Sequence, residues 1–142
     1  MKAGGLIDTG AILALLDRDD AWHTACVETF GGLRLPLLTS EAVLAELFHL
    51  VGDKRHEVNA AWEFLRCGAV LLAELSDQEL PAIRALMAKY HDQPMDFAEA
   101  TLVYLAARES LNTVFTVDRT DFETYRIANR RRFRVLPERA AW

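Results

Sequence analysis

Apolar positions along the chain come in two patterns. Short uninterrupted runs at Gly5-Leu6-Ile7, Leu35 to Leu38 (with Pro36 at its start), Ala69 to Leu72, Thr113 to Thr116 and Phe133 to Leu136 read as buried strands. Between them, apolar residues recur at three- and four-residue spacing, as on one face of a helix. These helical stretches are Ala11 to Leu16, Ala21 to Phe30, Glu41 to Val51 ended by Gly52, Asp53 to Cys67 closed by Gly68, Asp96 to Glu109, and Thr120 to Ile127. Ser76-Asp77-Gln78-Glu79 fits a capping box that opens a further helix. Leu80, Ile83, Met87 and Tyr90 are its expected buried stripe. Pro81 falls slightly late for the first turn, so that helix is expected to start a few residues off the box. Phe30, Phe48, Trp62 and Phe64 are expected in the core by spacing.

Short strands alternating with helices predict an α/β fold: three layers, α/β/α, around a mostly parallel sheet of about four or five strands. In such sheets the functional groups gather beyond the carboxyl ends of the strands. That rule directs attention to Asp8, just after the first strand, and Asp118, just after the fourth.

Composition narrows the class. The chain has 142 residues, 51% hydrophobic and 26% charged. One domain spanning 1–142 is expected, since two would each be too small to bury a good core. Disordered, collagen-like and disulfide-scaffold classes do not fit this composition. Cys26 and Cys67, both in helical stretches, suggest reduced thiols and a cytoplasmic setting. His23 and Cys26 are the only closely spaced Cys/His pair, too few for a tetrahedral zinc site. Residues Met1 to Gly10 lack the apolar core of a signal peptide, and no apolar run reaches the ~18 residues of a membrane span. No membrane association is therefore expected.

The net charge of −5 is unevenly placed. From Tyr125 to Trp142 stand six arginines and one acid, a charge of +5, which leaves −10 on the rest of the chain. An acidic body with a basic end suits a cation-collecting site beside a surface that attracts phosphate. It equally suits a solvated tail.

Four carboxylates stand out by context. Asp8 sits at a strand-to-helix corner; Glu46 has Ala42, Val43, His49 and Leu50 as helical neighbours, a mostly apolar face; Asp96 opens a helix; Asp118 ends the run Val114-Phe115-Thr116-Val117. Each has an ordinary structural use. Asp8 and Asp96 suit helix N-caps, Asp118 suits a turn, and Glu46 could pair with an arginine. Taken together they suggest an all-oxygen cluster suited to Mg²⁺ or Mn²⁺. Such ions lower the pKa of bound water and offset charge on a phosphodiester. Glu99, three residues after Asp96 on the same helix side, could join the cluster or bond a metal-bound water. Thr116 could orient a carboxylate or a water. The serine elbow, the P-loop and the dinucleotide fingerprint are absent, and no histidine has a triad-like setting.

Leu6-Ile7-Asp8-Thr9-Gly10-Ala11, the helix carrying Glu46, Pro94-Met95-Asp96-Phe97-Ala98-Glu99-Ala100 and Thr116-Val117-Asp118-Arg119-Thr120-Asp121-Phe122 together resemble the PIN-domain family. More narrowly, the chain resembles VapC-type toxins of type II toxin–antitoxin pairs. The resemblance implies a PIN-like fold and a Mg²⁺- or Mn²⁺-dependent endoribonuclease. It implies catalytic, metal-binding acids at Asp8, Glu46, Asp96 and Asp118, and it makes Asp121 an auxiliary acid or a substitute for Asp118. It also implies an RNA substrate, a cognate antitoxin protein and a homodimer. One departure is Glu99, where this branch usually has aspartate; the longer side chain puts direct metal contact in doubt. Arg130, Arg131 and Arg132 are the expected contacts to RNA backbone. Two rivals stay open. An aspartyl-phosphate phosphatase would need a second acid where Gly10 stands. A PIN-like or receiver-like domain would bind a metal or a partner without cleaving anything.

Overall fold

The computed structural model describes residues 2–138; Arg139, counted in the basic end, lies outside them. Five three-residue strands form one parallel sheet: β1 (Gly5–Ile7), β2 (Leu37–Thr39), β3 (Val70–Leu72), β4 (Thr113–Phe115) and, last in the chain, β7 (Arg134–Leu136). Their order is β3-β2-β1-β4-β7, with Leu6 opposite Leu38 on one side and Val114 on the other. Helices flank this sheet: α1 (Thr9–Leu16), α2 (His23–Gly32), α3 (Glu41–Val51), α4 (Arg55–Arg66), α5 (Leu80–Lys89), α6 (Phe97–Arg108) and α7 (Arg119–Thr124). The predicted α/β/α architecture with a five-stranded sheet is therefore observed.

The central position of β1 explains its composition. All three of its residues are buried, as a strand covered on both faces must be. Leu6, Ile7, Leu37, Val114 and Phe115 from the sheet meet Ile12, Leu47, Leu102 and Leu105 from the helices, all fully buried. Each such side chain contributes about 1.5–3 kcal/mol relative to leaving it exposed. Gly10 is required by close approach. A Cβ there would lie 2.4 Å from Cγ2 of Val117, so only glycine lets α1 start against the turn that carries Asp118. The same fact accounts for the missing second acid of the phosphatase pattern.

Several expectations shift by a residue or two, and some change kind. β2 begins after Pro36, which has no N–H for the ladder; Leu37 N donates to Ala69 O at 2.8 Å instead. The Ser76–Glu79 capping box is present, but it closes a short 3₁₀ turn, Asp77–Glu79, and α5 follows with Pro81 in its first turn. Glu79 then clasps α5 to α6. Its Oε2 accepts from Tyr104 Oη at 2.7 Å and Arg108 Nη1 at 2.8 Å, while Oε1 accepts from Ser76 N at 2.9 Å. Leu80 and Trp62, expected in the core, lie on the solvent-facing sides of α5 and α4, exposed at 45% and 51%, with the Trp62 ring still 4.8 Å from that of Phe48. Phe30, Phe48 and Phe64 pack on the core partly buried.

The predicted helix Thr120 to Ile127 stops early. α7 ends at Thr124, and Arg126–Ile127 (β5) pairs antiparallel with Arg131–Arg132 (β6). Ala128 and Asn129 turn this hairpin with φ of 51° and 65°, the left-handed pair that a tight hairpin turn needs. Lys89 Nζ donates to Asn129 Oδ1, tying the hairpin tip to α5. Arg130, Arg131 and Arg132 are therefore carried, exposed, on a hairpin rather than in a loose tail.

Candidate active site

The site is built at the carboxyl ends of the two central strands. Asp8 N donates to Phe115 O at 3.0 Å and extends the β1–β4 ladder one residue beyond Ile7. The backbone of Asp8 is then extended, and its side chain turns to cap α1: Oδ1 accepts from Thr9 N at 2.8 Å. Oδ2 accepts from Thr116 Oγ1 at 3.1 Å. Thr116 Oγ1 in turn accepts from Asp118 N at 3.0 Å. One fully buried threonine thus joins the two acids that follow β1 and β4.

Asp8 is 3% exposed, and its carboxyl is pushed up to about 7. Burial is the main cause, since a charge leaves water there. The negative charges of Asp118 and Glu46 add to it, and the bonds from Thr9 and Thr116 oppose it. Asp118 is also raised, by burial first and then by Asp121, Glu46 and Asp96. Glu46 is half-buried on α3, so its field reaches both strand-end acids.

Asp96 and Glu99 form a reciprocal cap at the start of α6. Glu99 N donates to Asp96 Oδ1 at 2.7 Å, and Asp96 N donates to Glu99 Oε1 at 3.0 Å. The two acids, which would repel as a bare i,i+3 pair, are held together by these backbone donors. Asp96 faces solvent, whereas Glu99 is 6% exposed. Burial lifts the Glu99 carboxyl well above the usual range, and contact with Asp121 and the charge of Asp96 lift it further. Asp121, half-buried in the first turn of α7, thus stands between the Glu99 and Asp118 ends of the group.

The fold therefore brings all of the predicted acids and Thr116 into one electrostatic group. Among the described residues none of these acids forms an ion pair with an arginine or lysine. The Arg119 guanidinium next to Asp118 donates to the carbonyls of Val135 (3.2 Å) and Pro137. His23 and His91 each bond a backbone carbonyl, of Ala14 and Ala88. A cavity of about 630 Å³ has Gly4, Arg34, Thr113 and Arg134 in its wall, at the amino ends of the strands, and none of the acids lines it.

Does this group suit a divalent cation? Its donors are all carboxylate or hydroxyl oxygens, the chemistry Mg²⁺ and Mn²⁺ prefer. Two carboxyls are held near or above their ordinary range by burial and mutual repulsion, which a cation would relieve. Among the described residues no three acids, histidines or cysteines converge closely enough to hold an ion as they stand. The donor set fits.

One residue in the group went unforeseen. Tyr125, inside the predicted helix Thr120 to Ile127, is fully buried with its phenol in the field of Glu99, Asp121 and Asp96. Its only signal in the sequence is its place one helical turn after Asp121.

A PIN domain family model matches residues 5–128. Ribonuclease VapC26 of Mycobacterium tuberculosis is 32% identical over 142 aligned positions, covering 93% of this chain and 99% of that protein. The crystal structure of Mycobacterium tuberculosis VapC20, described as a sarcin-ricin loop cleaving toxin, superposes with a TM-score of 0.68 at 18% identity. It covers 78% of this chain and 86% of that one, a likeness of fold.

Proposed function

The chain belongs to the PIN-domain family, among the VapC ribonucleases, and on that premise we propose that it is a divalent-metal-dependent endoribonuclease, the toxin of a toxin–antitoxin pair. The observation that carries the reading is the Asp8–Thr116–Asp118 bridge at the ends of β1 and β4, with Glu46 and Asp96 in its field. Asp8 and Asp96 are the principal ligands for Mg²⁺ or Mn²⁺, and Glu46 and Asp118 complete the acidic pocket. A bound cation supplies a more acidic water and offsets charge building on the phosphodiester. The protein's own part is orientation. Thr9 N and Thr116 hold the Asp8 carboxylate, Glu99 fixes the backbone of Asp96, and Asp121 supports both ends.

Uncompensated, the acids repel a polyanion. Arg130, Arg131 and Arg132 on the β5–β6 hairpin supply positive charge for RNA phosphates. A homodimer and a cognate antitoxin belong to the same reading; exposed Leu50, Trp62, Leu80 and Phe97 are apolar surface open to such partners. No helix among the described residues is long and apolar enough to cross a membrane, and the proposed setting is the cytoplasm. Residues 1–142 act as one nuclease unit.

The test is cleavage of total RNA by the purified protein with Mg²⁺, with Mn²⁺ and with EDTA. Asp8→Asn and Asp96→Asn should each lower the rate more than about 100-fold, the upper end of losing a mere supporting group, while the fold survives. Cleavage undiminished in EDTA, or near-wild-type activity in either variant, would overturn the reading. Metal-dependent stabilisation with no cleavage of any RNA would make this a binding domain.

A further inference from the structure

Tyr125 is a buried polar group that the roles above leave unused. Its ring is gripped edge-on by Phe122 (5.3 Å between centroids, 81°) and by Tyr90 (5.0 Å, 63°). The backbone on either side is tied as well. Tyr125 N donates to Asp121 O at 3.1 Å, and Arg126 N donates to Tyr90 Oη at 3.0 Å. The phenol is therefore a fixed donor that cannot swing to solvent.

Only two buried side-chain polar atoms among the described residues lack a hydrogen-bond partner, Arg119 Nε and Tyr125 Oη. A buried hydroxyl is ordinarily paired, and one left unpaired in a native fold marks a place with a use for it. The acceptor it faces is Glu99, with Asp121 and Asp96 beyond. These acids and burial keep the phenol protonated, so it can only offer its hydrogen to them. Glu99 Oε1 is already held by the Asp96 N–H. Asp121 contacts the Glu99 carboxyl as well, so the phenol and Asp121 meet at the same group.

We propose that Tyr125 is a positioning residue of the nuclease site: its hydroxyl donates to the Glu99 carboxyl and so holds the Asp96–Glu99 cap in the geometry that receives the cation. This rests on the metal-dependent reading above. Asp96 is exposed, and its carboxylate and backbone are both bonded to Glu99, so the cap is held through Glu99. Phe122, Tyr90 and Tyr125 then form a rigid floor that carries order from the core to a ligand on α6.

Tyr125→Phe keeps the ring and both edge contacts and removes only the hydroxyl. Three readouts on the full chain separate positioning from packing. The cation-free melting temperature should fall by no more than about 5 °C, since a single hydrogen bond contributes only about 1 kcal/mol. The Mn²⁺ concentration that gives half-maximal thermal stabilisation, measured without RNA, should rise about tenfold. For RNA cleavage kcat should fall about tenfold, with KM within about twofold. Adding Tyr125→Phe to Glu99→Ala should change none of these further, because the acceptor is already gone.

An unchanged Mn²⁺ midpoint, or an equal loss in the Glu99→Ala background, would overturn the inference. A Tyr125→Phe variant that fails to fold would overturn it too, because the hydroxyl would then serve the core. If wild type is neither stabilised by Mn²⁺ nor active on RNA, the functional reading fails instead, and the two failures are told apart by wild type alone.

Discussion

Asp8→Asn should stabilise the cation-free protein above neutral pH while it removes activity. The sign follows from which state holds the proton. Below about pH 4 folded and unfolded chains both carry it, and Asp8 contributes nothing. As pH rises from there to about 7, the unfolded chain has lost the proton and the folded chain keeps it, so stability falls. Above about 7 the folded chain holds a buried anion and the whole penalty stands. The interval from 3.8 to about 7, at about 1.36 kcal/mol for each pH unit, is about 4 kcal/mol. Asparagine cannot ionise and avoids this. It does lose an acceptor: Oδ1 can still accept from Thr9 N, but an amide nitrogen now meets Thr116 Oγ1, whose own proton is left unpaired. That costs about 1 kcal/mol. The net gain of about 3 kcal/mol corresponds to roughly 6–12 °C in melting temperature for a chain of this size. Melts of both proteins in EDTA from about pH 4 to about pH 8 give the test. The gap should open across the interval and level off above it. A variant less stable than wild type at about pH 8, or a gap that ignores pH, would refute a strained buried carboxylate at Asp8.

Millimolar Mn²⁺ should raise the melting temperature of wild type by mass action, about 2.7 kcal/mol at a hundredfold excess over Kd, and the effect should largely vanish in Glu46→Gln; a wild-type melt indifferent to the ion would count against the site. Replacing Arg130, Arg131 and Arg132 with glutamine should weaken RNA binding and flatten its salt dependence by up to about 2 in log–log slope, at ~0.7 for each phosphate no longer neutralised. An unchanged slope would give the hairpin another purpose. Glu79, held down to about 2 by the Tyr104 hydroxyl and then by Arg108, stabilises the fold above about pH 4.5 and loses that effect as pH falls toward 2. Glu79→Gln should therefore lower the melting temperature at neutral pH, with the difference from wild type closing in acid; a difference that persists unchanged would mean Glu79 acts by shape alone.

The strand-end acids were legible because a parallel sheet puts its chemistry beyond strand carboxyl ends, and Leu6-Ile7-Asp8 and Val114-Phe115-Thr116-Val117-Asp118 are buried runs that stop at an acid. Asp96 and Glu99 were legible as neighbours, but spacing does not show that backbone N–H groups bridge them. The arginine hairpin was not legible. Its strands have two residues each, no alternation of apolar and polar positions, and an alanine in a left-handed turn, while Phe122 and Tyr125 mimic a helical stripe. Leu80 and Trp62 failed for another reason: periodicity tells that a face is apolar, not whether anything covers it.

β1 is made first and sits in the middle. Its partner on one side, β4, comes from the far end of the chain, so Asp8 and Thr116 meet across a separation of 108 residues. Until β4 leaves the ribosome, Asp8 has neither the ladder bond to Phe115 nor the bridge to Asp118. A nascent chain that stops short of β4 therefore lacks the assembled Asp8–Thr116–Asp118 bridge. The acidic group is a late product of synthesis, closed only when two segments 108 residues apart have both been made.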